Sequence, residues 1–239
     1  QVAQSEALVA YEAFADRFLE HSKELIRGDK SYVELFLENS NFNLQDFIGA
    51  QAGASEKIDF LVKAAQLLAE EVSRQGEEAE VLILGARATV ADRALFAALA
   101  SQNNQITIAD TSLAFLNDVK EMIKRGGVSD TVTVVQMTED GQLSGAADRK
   151  YDLIISADFL HQLNHVPKLL TQIRKQLHQG GILLFSEVTE NSAIQLVTTA
   201  YLEEGFGHFT DGRQETGKPL YEEKAWARML KEAGFVHME

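Results

Sequence analysis

The spacing of hydrophobic residues divides this chain into a helical front part and a part in which strands and helices alternate. In SEALVAYEAFADRFLEHSKELIRG, which begins at Ser5, apolar side chains recur at the spacing of an amphipathic helix that Gly28 ends. A second pattern of this kind, EKIDFLVKAAQLLAEEVSRQG, begins at Glu56, after a short helical piece (SYVELFL) and a polar, glycine-rich loop. Residues 1–75 therefore predict a helical subdomain. Its pattern leaves open whether it supports the rest of the protein or covers a binding site as a lid.

From residue 79 onward, short apolar strands alternate with amphipathic helices. The predicted strands are EVLIL (80–84), QITIAD (105–110), TVTVVQM (131–137), YDLIIS (151–156) and GILLFSEV (181–188). The predicted helices are TVADRALFAALASQ, TSLAFLNDVKEMIKRGG, VPKLLTQIRKQLHQ, NSAIQLVTTAYLEE and EEKAWARMLKEAG. Continuous apolar strands that alternate with helices are typical of a parallel sheet covered on both faces. The sequence thus predicts an α/β core domain over residues 76–239, with FVHME at its end starting a further strand.

Composition narrows the possible partners. The chain has 239 residues, a net charge of −14 and a pI near 4.9, which disfavours a nucleic-acid partner. It contains no cysteine, so disulfides and thiolate metal sites are excluded, and this fits a reducing compartment. No apolar run approaches the roughly 18 residues of a membrane span, and the start is not a signal peptide. We therefore expect a cytoplasmic protein that binds neither nucleic acid nor membranes.

The turn after the first predicted strand is where a doubly wound fold holds a nucleotide-like cofactor, and glycines there let the backbone approach the ligand. In GARATVADR only Gly85 is present, and Arg87, Thr89 and Ala91 stand where further glycines are expected. The second strand ends in Asp110, which could accept hydrogen bonds from a ribose or cap the following helix. The residues alone leave these two interpretations of Asp110 open.

A histidine and a glutamate follow two strands that should be neighbours. His161 comes just after the fourth strand, and Glu187 lies at the carboxyl end of the fifth. A hydrogen bond donated by a ring nitrogen of His161 to Glu187 would orient the imidazole and raise its basicity for proton abstraction, although a lone histidine in such a stretch is more often structural. We interpret His165 and His178, on the following helix, as solvent-facing or structural, and the role of His208 is open. These residues do not form a convincing ligand set, so we expect no metal.

The stretch YDLIISADFLHQLNHVPKLLTQIRKQLHQGGILLFSEVTEN resembles the middle of the carbon-methylating domains embedded in polyketide and nonribosomal peptide synthases. Those domains carry a strand, an LH pair, a helix and a GG-LL-E pattern. The similarity continues through FTDGR, KPL, Trp226 and MLKEAGF, and LIRGDKSYVELFLENSNFNLQDFIG resembles the lid region that precedes the family's cofactor loop. The resemblance implies a class I S-adenosylmethionine methyltransferase fold, a Rossmann-like three-layer sandwich with an N-terminal helical lid. It also implies neighbouring megasynthase domains, and a substrate carried as a phosphopantetheine thioester by an acyl or peptidyl carrier protein.

The resemblance also implies roles for single residues. In the family a His–Glu pair removes a proton from the activated carbon next to the thioester, and by position this pair is His161 and Glu187. The residues implied at the cofactor, S-adenosylmethionine, are Gly85, Ala86, Asp110 and Asp158. Asp158 stands where the family carries an asparagine before the catalytic histidine.

The cofactor loop departs from the family pattern of an acidic residue, Gly, any residue, Gly, then Gly and Thr. Leu84 replaces the acidic residue, Arg87 replaces the second glycine, and the later glycines are missing. A side chain in place of glycine blocks backbone approach, and an inward Arg87 would repel a sulfonium, at a cost of roughly 1–3 kcal/mol. Three functions stay open: a methyltransferase, an epimerase that returns the proton to the opposite face, and an inactive pseudo-methyltransferase scaffold.

The end of the chain carries a prediction of its own. Class I methyltransferase folds end in two strands after the last core helix, and FVHME can start only the first of them. We therefore expect at most six strands, in the order 3-2-1-4-5-6. We also expect the natural protein to continue past Glu239, and the start at Gln1, without methionine, indicates a piece of a longer chain.

Overall fold

The structure, a computed structural model, describes residues 2–30, 55–73, 78–85, 90–100, 104–126, 131–145, 148–190 and 207–237. The helices predicted in SYVELFL and NSAIQLVTTAYLEE lie outside these residues. The chain forms two compact units. One comprises Gln1–Gly53 and Asn191–His208, and the other comprises Ala54–Glu190 and Phe209–Glu239. The sequence pattern placed this boundary at about residue 75, whereas the contacts of the chain place it after residue 53.

The described part of the first unit contains helix α1 (Val2–Arg27), as the apolar spacing predicted. Gly28 ends the helix in the left-handed conformation, with φ of 73°. Its amide donates to the carbonyl of Leu25 at 3.1 Å, and the amide of Asp29 donates to that of Glu24 at 2.9 Å. These bonds satisfy carbonyls that have no partner inside the helix, which is the usual reason for a glycine at this position.

The second unit is a parallel sheet of five strands with helices between them. Its strands are β1 (Glu80–Leu84), β2 (Gln105–Asp110), β3 (Val132–Gln136), β4 (Tyr151–Ala157) and β5 (Leu177–Ser186). Its helices are α2 (Ser55–Ser73), α3 (Val90–Ala100), α4 (Leu113–Gly126), α5 (Val166–Gln176), α6 (Gly212–Thr216) and α7 (Glu223–Glu232). The strand order is β3-β2-β1-β4-β5, and all four pairings are parallel. The predicted order is confirmed for these five strands.

Hydrophobic clusters cover both faces of this sheet because successive side chains of a strand point to opposite sides. In β1, Val81 and Ile83 belong to a cluster with side chains of α2, α3 and α4. Leu82 and Leu84 belong to the other cluster, with side chains of α5 and α7. The result is the three-layer arrangement that the strand pattern predicted. Within the described ranges, no helix is long and apolar enough to cross a membrane.

Helix α5 is shorter than the sequence predicted. We expected it to continue to the Gly180–Gly181 pair, but it ends at Gln176, and β5 begins directly at Leu177. Leu177 is buried and pairs with Tyr151, so the core holds it in extended backbone. A Cβ at Gly181 would lie 3.0 Å from the carbonyl oxygen of Tyr151, and this close approach favours glycine there.

The prediction that FVHME starts a strand is wrong for its described residues, 235–237, which are not part of a strand. The amide of Phe235 donates to the carbonyl of Leu230 at 3.0 Å, and Gly234 is left-handed, with φ of 92°. These features belong to the end of helix α7. Phe235 packs against the core cluster that contains Trp226, so its packing and its backbone hydrogen bond both hold it at the helix end.

Candidate active site

His161 and Glu187 meet at the carboxyl edge of the sheet. Strand β4 ends at Ala157, and a 3₁₀ turn, Leu160–Gln162, carries His161. Strand β5 ends at Ser186, which pairs with Ala157, so Glu187 begins at the same level. Nδ1 of His161 hydrogen-bonds Oε2 of Glu187, and the backbone amide of Leu160 donates to Oε1 of Glu187 at 2.7 Å. The structure therefore brings the predicted pair together, while its catalytic role stays a prediction.

The turn that carries His161 leaves β4 through an unusual backbone position. Asp158 has φ of 50°, in the left-handed region, and among non-glycine residues Asp and Asn tolerate that region best. The Asp158 amide donates to the carbonyl of Ser186 at 2.8 Å, and the Asp158 carbonyl accepts from Nε2 of Gln162 at 2.9 Å. Asp158 therefore has a backbone role in directing the turn, and its predicted cofactor role is untested.

The His161–Glu187 hydrogen bond determines which ring nitrogen can act as a base. The side chains are 11% and 2% exposed, respectively, so the bond forms in surroundings from which water is largely excluded. An ionised carboxylate has no proton to give, so Nδ1 of His161 is the donor. In a neutral imidazole that donates from Nδ1, the lone pair is on Nε2. The arrangement can thus orient a general base.

Asp110 lies at the carboxyl end of β2 and is 1% exposed. Its Oδ1 accepts from the amide of Ser112 at 2.7 Å, a local contact that shapes the turn before helix α4. A carboxylate can accept several hydrogen bonds, so this local role is compatible with one at a ribose. The ribose interpretation of Asp110 stays a prediction.

The structure requires a glycine at position 85 for a reason that the sequence did not reveal. Its φ is 78°, and a Cβ built on it would lie 2.1 Å from Cγ of Phe159. No side chain fits there unless the ring of Phe159 moves. Gly85 would thus be needed even in a chain that binds no cofactor, and its presence alone does not indicate cofactor binding.

The rest of the predicted cofactor loop follows Gly85. Ala86, Arg87 and Thr89 fall in 86–89, outside the described residues. Leu84 is described and is 3% exposed. It offers no hydrogen-bond acceptor where the family pattern has an acidic side chain.

The three other histidines considered in the sequence lie on other elements or in the other unit. Nδ1 of His165 accepts from the amide of Lys168 at 3.3 Å, so His165 caps helix α5. His178 lies exposed in β5, not on the predicted helix. His208 belongs to the first unit, and its role stays open. Among the residues that the structure describes, no group of three His, Asp or Glu side chains could hold a metal ion.

Sequence reasoning missed one group at this edge of the sheet. Asp211 and Arg213 belong to the FTDGR stretch, which contributed to the resemblance without an assigned role. Both are buried, and the guanidinium of Arg213 donates to the carbonyl of His161 and, at 2.6 Å, to that of Leu163. The available signal was the D-x-R pair with a glycine between its two charged residues. Residue types alone do not say which backbone such an arginine reaches.

A profile described as a methyltransferase domain matches residues 65–239 of this chain. Among curated proteins, a polyketide synthase–nonribosomal peptide synthetase of Pyricularia grisea is 25% identical over 217 residues. That match covers 90% of this chain and 5% of the relative, so the chain spans only a small part of that protein.

Solved structures share the fold at lower identity. The DszA carbon methyltransferase is 22% identical, with a TM-score of 0.78 over 98% of this chain and 61% of that one. The trans-methyltransferase CalH, solved with S-adenosylhomocysteine, is 19% identical, with a TM-score of 0.71 over 91% of this chain and 59% of that one. At these identities the likeness establishes the fold and no finer property.

Proposed function

This chain belongs to the methyltransferase domain family, and we propose that it is an S-adenosylmethionine-dependent C-methyltransferase acting on the α-carbon of a carrier-bound acyl thioester. Membership confirms the family predicted from the sequence, and the class I methyltransferase fold is confirmed with it. The proposal goes further, because it names the atom that is modified and the form in which the substrate arrives.

The His161–Glu187 pair is the observation that carries this proposal. An α-hydrogen next to a thioester is weakly acidic, because the resulting carbanion is delocalised into the carbonyl as an enolate. Nε2 of His161 takes that proton, and Glu187 stabilises the imidazolium that forms. A base at the carboxyl edge of the sheet lies where ligands bind in doubly wound folds.

The residues at the ends of β1 and β2 fit S-adenosylmethionine in their chemistry. The carboxylate of Asp110 would accept from the ribose hydroxyls, and the left-handed turn at Gly85 would begin the cofactor loop. When bound, the group supplies an electrophilic methyl on a sulfonium. Leu84 would contribute no hydrogen bond to it, so we expect weaker binding than an acidic residue would give.

The relatives support a proposal for the substrate class. The Pyricularia grisea relative combines a polyketide synthase with a nonribosomal peptide synthetase. We propose that this chain likewise works beside other megasynthase domains and receives its substrate on the phosphopantetheine arm of an acyl or peptidyl carrier protein.

A second function, epimerisation of the same α-carbon, is favoured by one combination of residues. The proton-transfer pair is intact, whereas Leu84, Arg87 and the missing glycines depart from the cofactor pattern. If a base removes the α-proton and no methyl donor is bound, the enolate can only take a proton back at the α-carbon. Reprotonation on the opposite face inverts that centre. An inactive scaffold, the third alternative, requires that the pair transfer no proton at all.

One experiment separates the three functions. The purified chain is mixed in D₂O with a single stereoisomer of a 2-methylacyl pantetheine thioester, and an unbranched acyl pantetheine is tested in parallel, each with and without S-adenosylmethionine. Methyl transfer to the unbranched substrate, abolished in His161→Ala, supports the methyltransferase. Deuterium incorporation with inversion and without donor, also lost in His161→Ala, selects the epimerase.

Other outcomes of the same experiment would refute the proposal or change its details. Neither methyl transfer nor exchange above the uncatalysed rate selects the scaffold and refutes the proposal. Activity that persists in a folded His161→Ala variant removes His161 as the base. Calorimetry with S-adenosylhomocysteine adds an independent measurement, and binding weaker than millimolar would place the epimerase ahead of the methyltransferase.

A further inference from the structure

We propose that Arg213, paired with Asp211, is a positioning residue that fixes the turn from which His161 acts. This rests on the proposed role of His161 as the base. Arg213 is far from His161 in sequence, but its guanidinium binds the backbone of the 3₁₀ turn directly. The position of His161 therefore depends on the donors of Arg213, the partners of Asp211, the packing around this pair and the weak geometry of a short 3₁₀ turn.

The guanidinium of Arg213 is used completely. Nη1 donates to the carbonyl of His161 and, at 3.4 Å, to that of Pro219. Nη2 donates to the carbonyl of Leu163 at 2.6 Å and to Oδ2 of Asp211 at 2.9 Å, and Nε donates to Oδ1 of Asp211 at 2.8 Å. Since a guanidinium has five N–H donors, these five hydrogen bonds leave none over. Lysine, with three donors on a single nitrogen, cannot reproduce them.

The hydrogen bonds of Arg213 and Asp211 to the turn act as a clamp. Asp211 extends this clamp to the helix that follows the turn. Besides the guanidinium, its carboxylate accepts from the amide of Val166 at 3.0 Å, at the first residue of helix α5. The amide of Thr210 donates to the carbonyl of Asn164 at 2.9 Å. The segment around Arg213, which is distant in sequence, thus holds the backbone at His161, Leu163, Asn164 and Val166.

Burial makes the pair rigid. The side chains of Asp211 and Arg213 are each 1% exposed, and the guanidinium carbon lies 3.6 Å from the ring centroid of Phe209 and 5.0 Å from that of Tyr221. Burial by itself raises the pKa of Asp211, but the hydrogen bonds and charge of Arg213, with backbone amides, outweigh it and hold that pKa below its usual value. The pair is therefore an ion pair in a place where either partner alone would be an uncompensated charge.

Two backbone hydrogen bonds close the turn itself. The amide of Gln162 donates to the carbonyl of Phe159 at 3.0 Å, and that of Leu163 to the carbonyl of Leu160 at 3.3 Å. A 3₁₀ turn of this length has weaker geometry than an α-helix. The hydrogen bonds from Arg213 to the carbonyls of His161 and Leu163 therefore hold the position from which the imidazole reaches both Glu187 and a substrate.

The test compares Arg213→Lys, which keeps the positive charge beside Asp211, with the unchanged chain. In the thioester assay we expect kcat to fall by about 10- to 100-fold, the scale on which small displacements of a reacting group act. We expect KM to stay nearly unchanged, because all the side-chain donors of Arg213 are bound to protein groups. Hydrogen exchange of the peptide spanning residues 158–166 should speed up, starting with the amide of Leu160. In Arg213→Ala, millimolar guanidinium should restore part of the rate, whereas sodium chloride at the same ionic strength should not.

Arg149→Lys is the matched control. Arg149 donates to Oε2 of Glu80 from Nη2 at 2.8 Å and from Nε at 3.2 Å, at the amino end of β1. The control variant therefore loses an arginine–carboxylate contact made by two donors, at the opposite edge of the sheet and with both side chains 32% exposed. The control should leave kcat and the exchange of residues 158–166 as they were. An equal fall of kcat in both variants would reduce Arg213 to general stabilisation and overturn the inference.

The inference and the proposed function fail in different ways. If the unchanged chain catalyses neither methyl transfer nor exchange, the proposed function fails, and hydrogen exchange at 158–166 still tests the clamp. If the unchanged chain is active and Arg213→Lys has the same kcat, the inference fails while the function stands. If Arg213→Ala does not fold, Arg213→Lys decides alone, and a folded Lys variant with unaltered exchange at 158–166 also counts against the inference.

Discussion

Replacing Glu187 by glutamine tests whether the carboxylate prepares His161 for proton transfer. The change keeps the size of the side chain and removes its charge. In the structure one carboxylate serves two donors at once, Nδ1 of His161 and the amide of Leu160, the latter at 2.7 Å. The two donors bind different oxygens of the carboxylate, and glutamine has an NH₂ group in place of one of these oxygens, so it cannot accept from both donors in these positions.

Either orientation of the substituted amide in Glu187→Gln impairs the hydrogen bonding that prepares His161 as a base. If its oxygen faces the amide of Leu160, its NH₂ faces Nδ1 of His161, which must then accept, and the ring proton moves to Nε2. If the oxygen faces His161, the NH₂ opposes the N–H of Leu160 and leaves a buried donor unsatisfied. The loss of a hydrogen bond to a charged group is worth about 1.5–3 kcal/mol, and a buried unsatisfied group adds about 1–3 kcal/mol. Of the combined effect we expect about 3–4 kcal/mol to appear in the barrier, a fall in rate of about 10²- to 10³-fold.

The assay is deuterium incorporation at the α-carbon of an acyl pantetheine thioester in D₂O, read by mass spectrometry and corrected for uncatalysed exchange. Nitrogen-15 spectra of histidine-labelled protein report which ring nitrogen of His161 carries the proton. Glu190→Gln is the control, because it makes the same chemical change at an exposed residue close by on the same segment. Circular dichroism establishes that both variants are folded.

The reasoning fails if Glu187→Gln retains the rate to within about threefold, the range in which a transition-state contribution is negligible. It also fails if Glu190→Gln slows the reaction as much as Glu187→Gln does. A slow variant whose His161 keeps the proton on Nδ1 would contradict the tautomer argument and leave only the loss of charge.

Further predictions concern the cofactor loop, the packing beneath it and the buried ion pair. Arg87→Gly with Thr89→Gly should bind S-adenosylhomocysteine about tenfold more tightly by calorimetry, because the backbone regains its approach to the ligand, and an unaltered affinity would show that another feature limits binding. Gly85→Ala should destabilise the protein by about 1–3 kcal/mol or more, since it combines left-handed backbone with a Cβ that meets Phe159 at 2.1 Å. Thermal denaturation should then show that Phe159→Ala offsets part of this loss, and strictly additive effects would contradict the clash. Because the pKa of Asp211 is depressed, the stability it contributes is present above its ordinary value of 3.8 and is lost as the pH falls through its folded pKa. Denaturant titrations should therefore give a flatter acid dependence below about pH 4 for Asp211→Asn, and an unaltered dependence would argue against the ion pair.

Much of the sheet could be read from the chain because its strands are continuous apolar runs of the length that a doubly covered parallel sheet requires. EVLIL and QITIAD coincide with β1 and β2 as observed, and the order of the strands is the one that the resemblance to class I methyltransferase folds implied. The meeting of His161 and Glu187 was predictable on the same ground. Parallel strands end at one edge, so residues that follow neighbouring strands come close together.

Element ends were less predictable. Helix α5 was expected to reach the Gly180–Gly181 pair, but the burial of Leu177 and its pairing with Tyr151 stop the helix earlier. Phe235 was expected in a strand, but its amide is bound to the carbonyl of Leu230 and its ring packs on the core. At Leu177 a tertiary contact outweighed a local preference, whereas at Phe235 the hydrogen bonding of the helix end acts together with the packing of the ring.

The order of the five described strands was implied by the family resemblance. The residue pattern by itself determined which segments are strands and helices, and that a histidine and a glutamate end at one edge. These properties depend on periodicity and on the direction of the chain, which are local or topological. Only the tertiary structure decided that Gly85 makes room for the ring of Phe159, and that Arg213 holds the backbone of His161. Such contacts join residues that are far apart in the chain, 52 positions in the case of His161 and Arg213. They depend on how side chains fill the space between packed elements, and no local pattern carries that information.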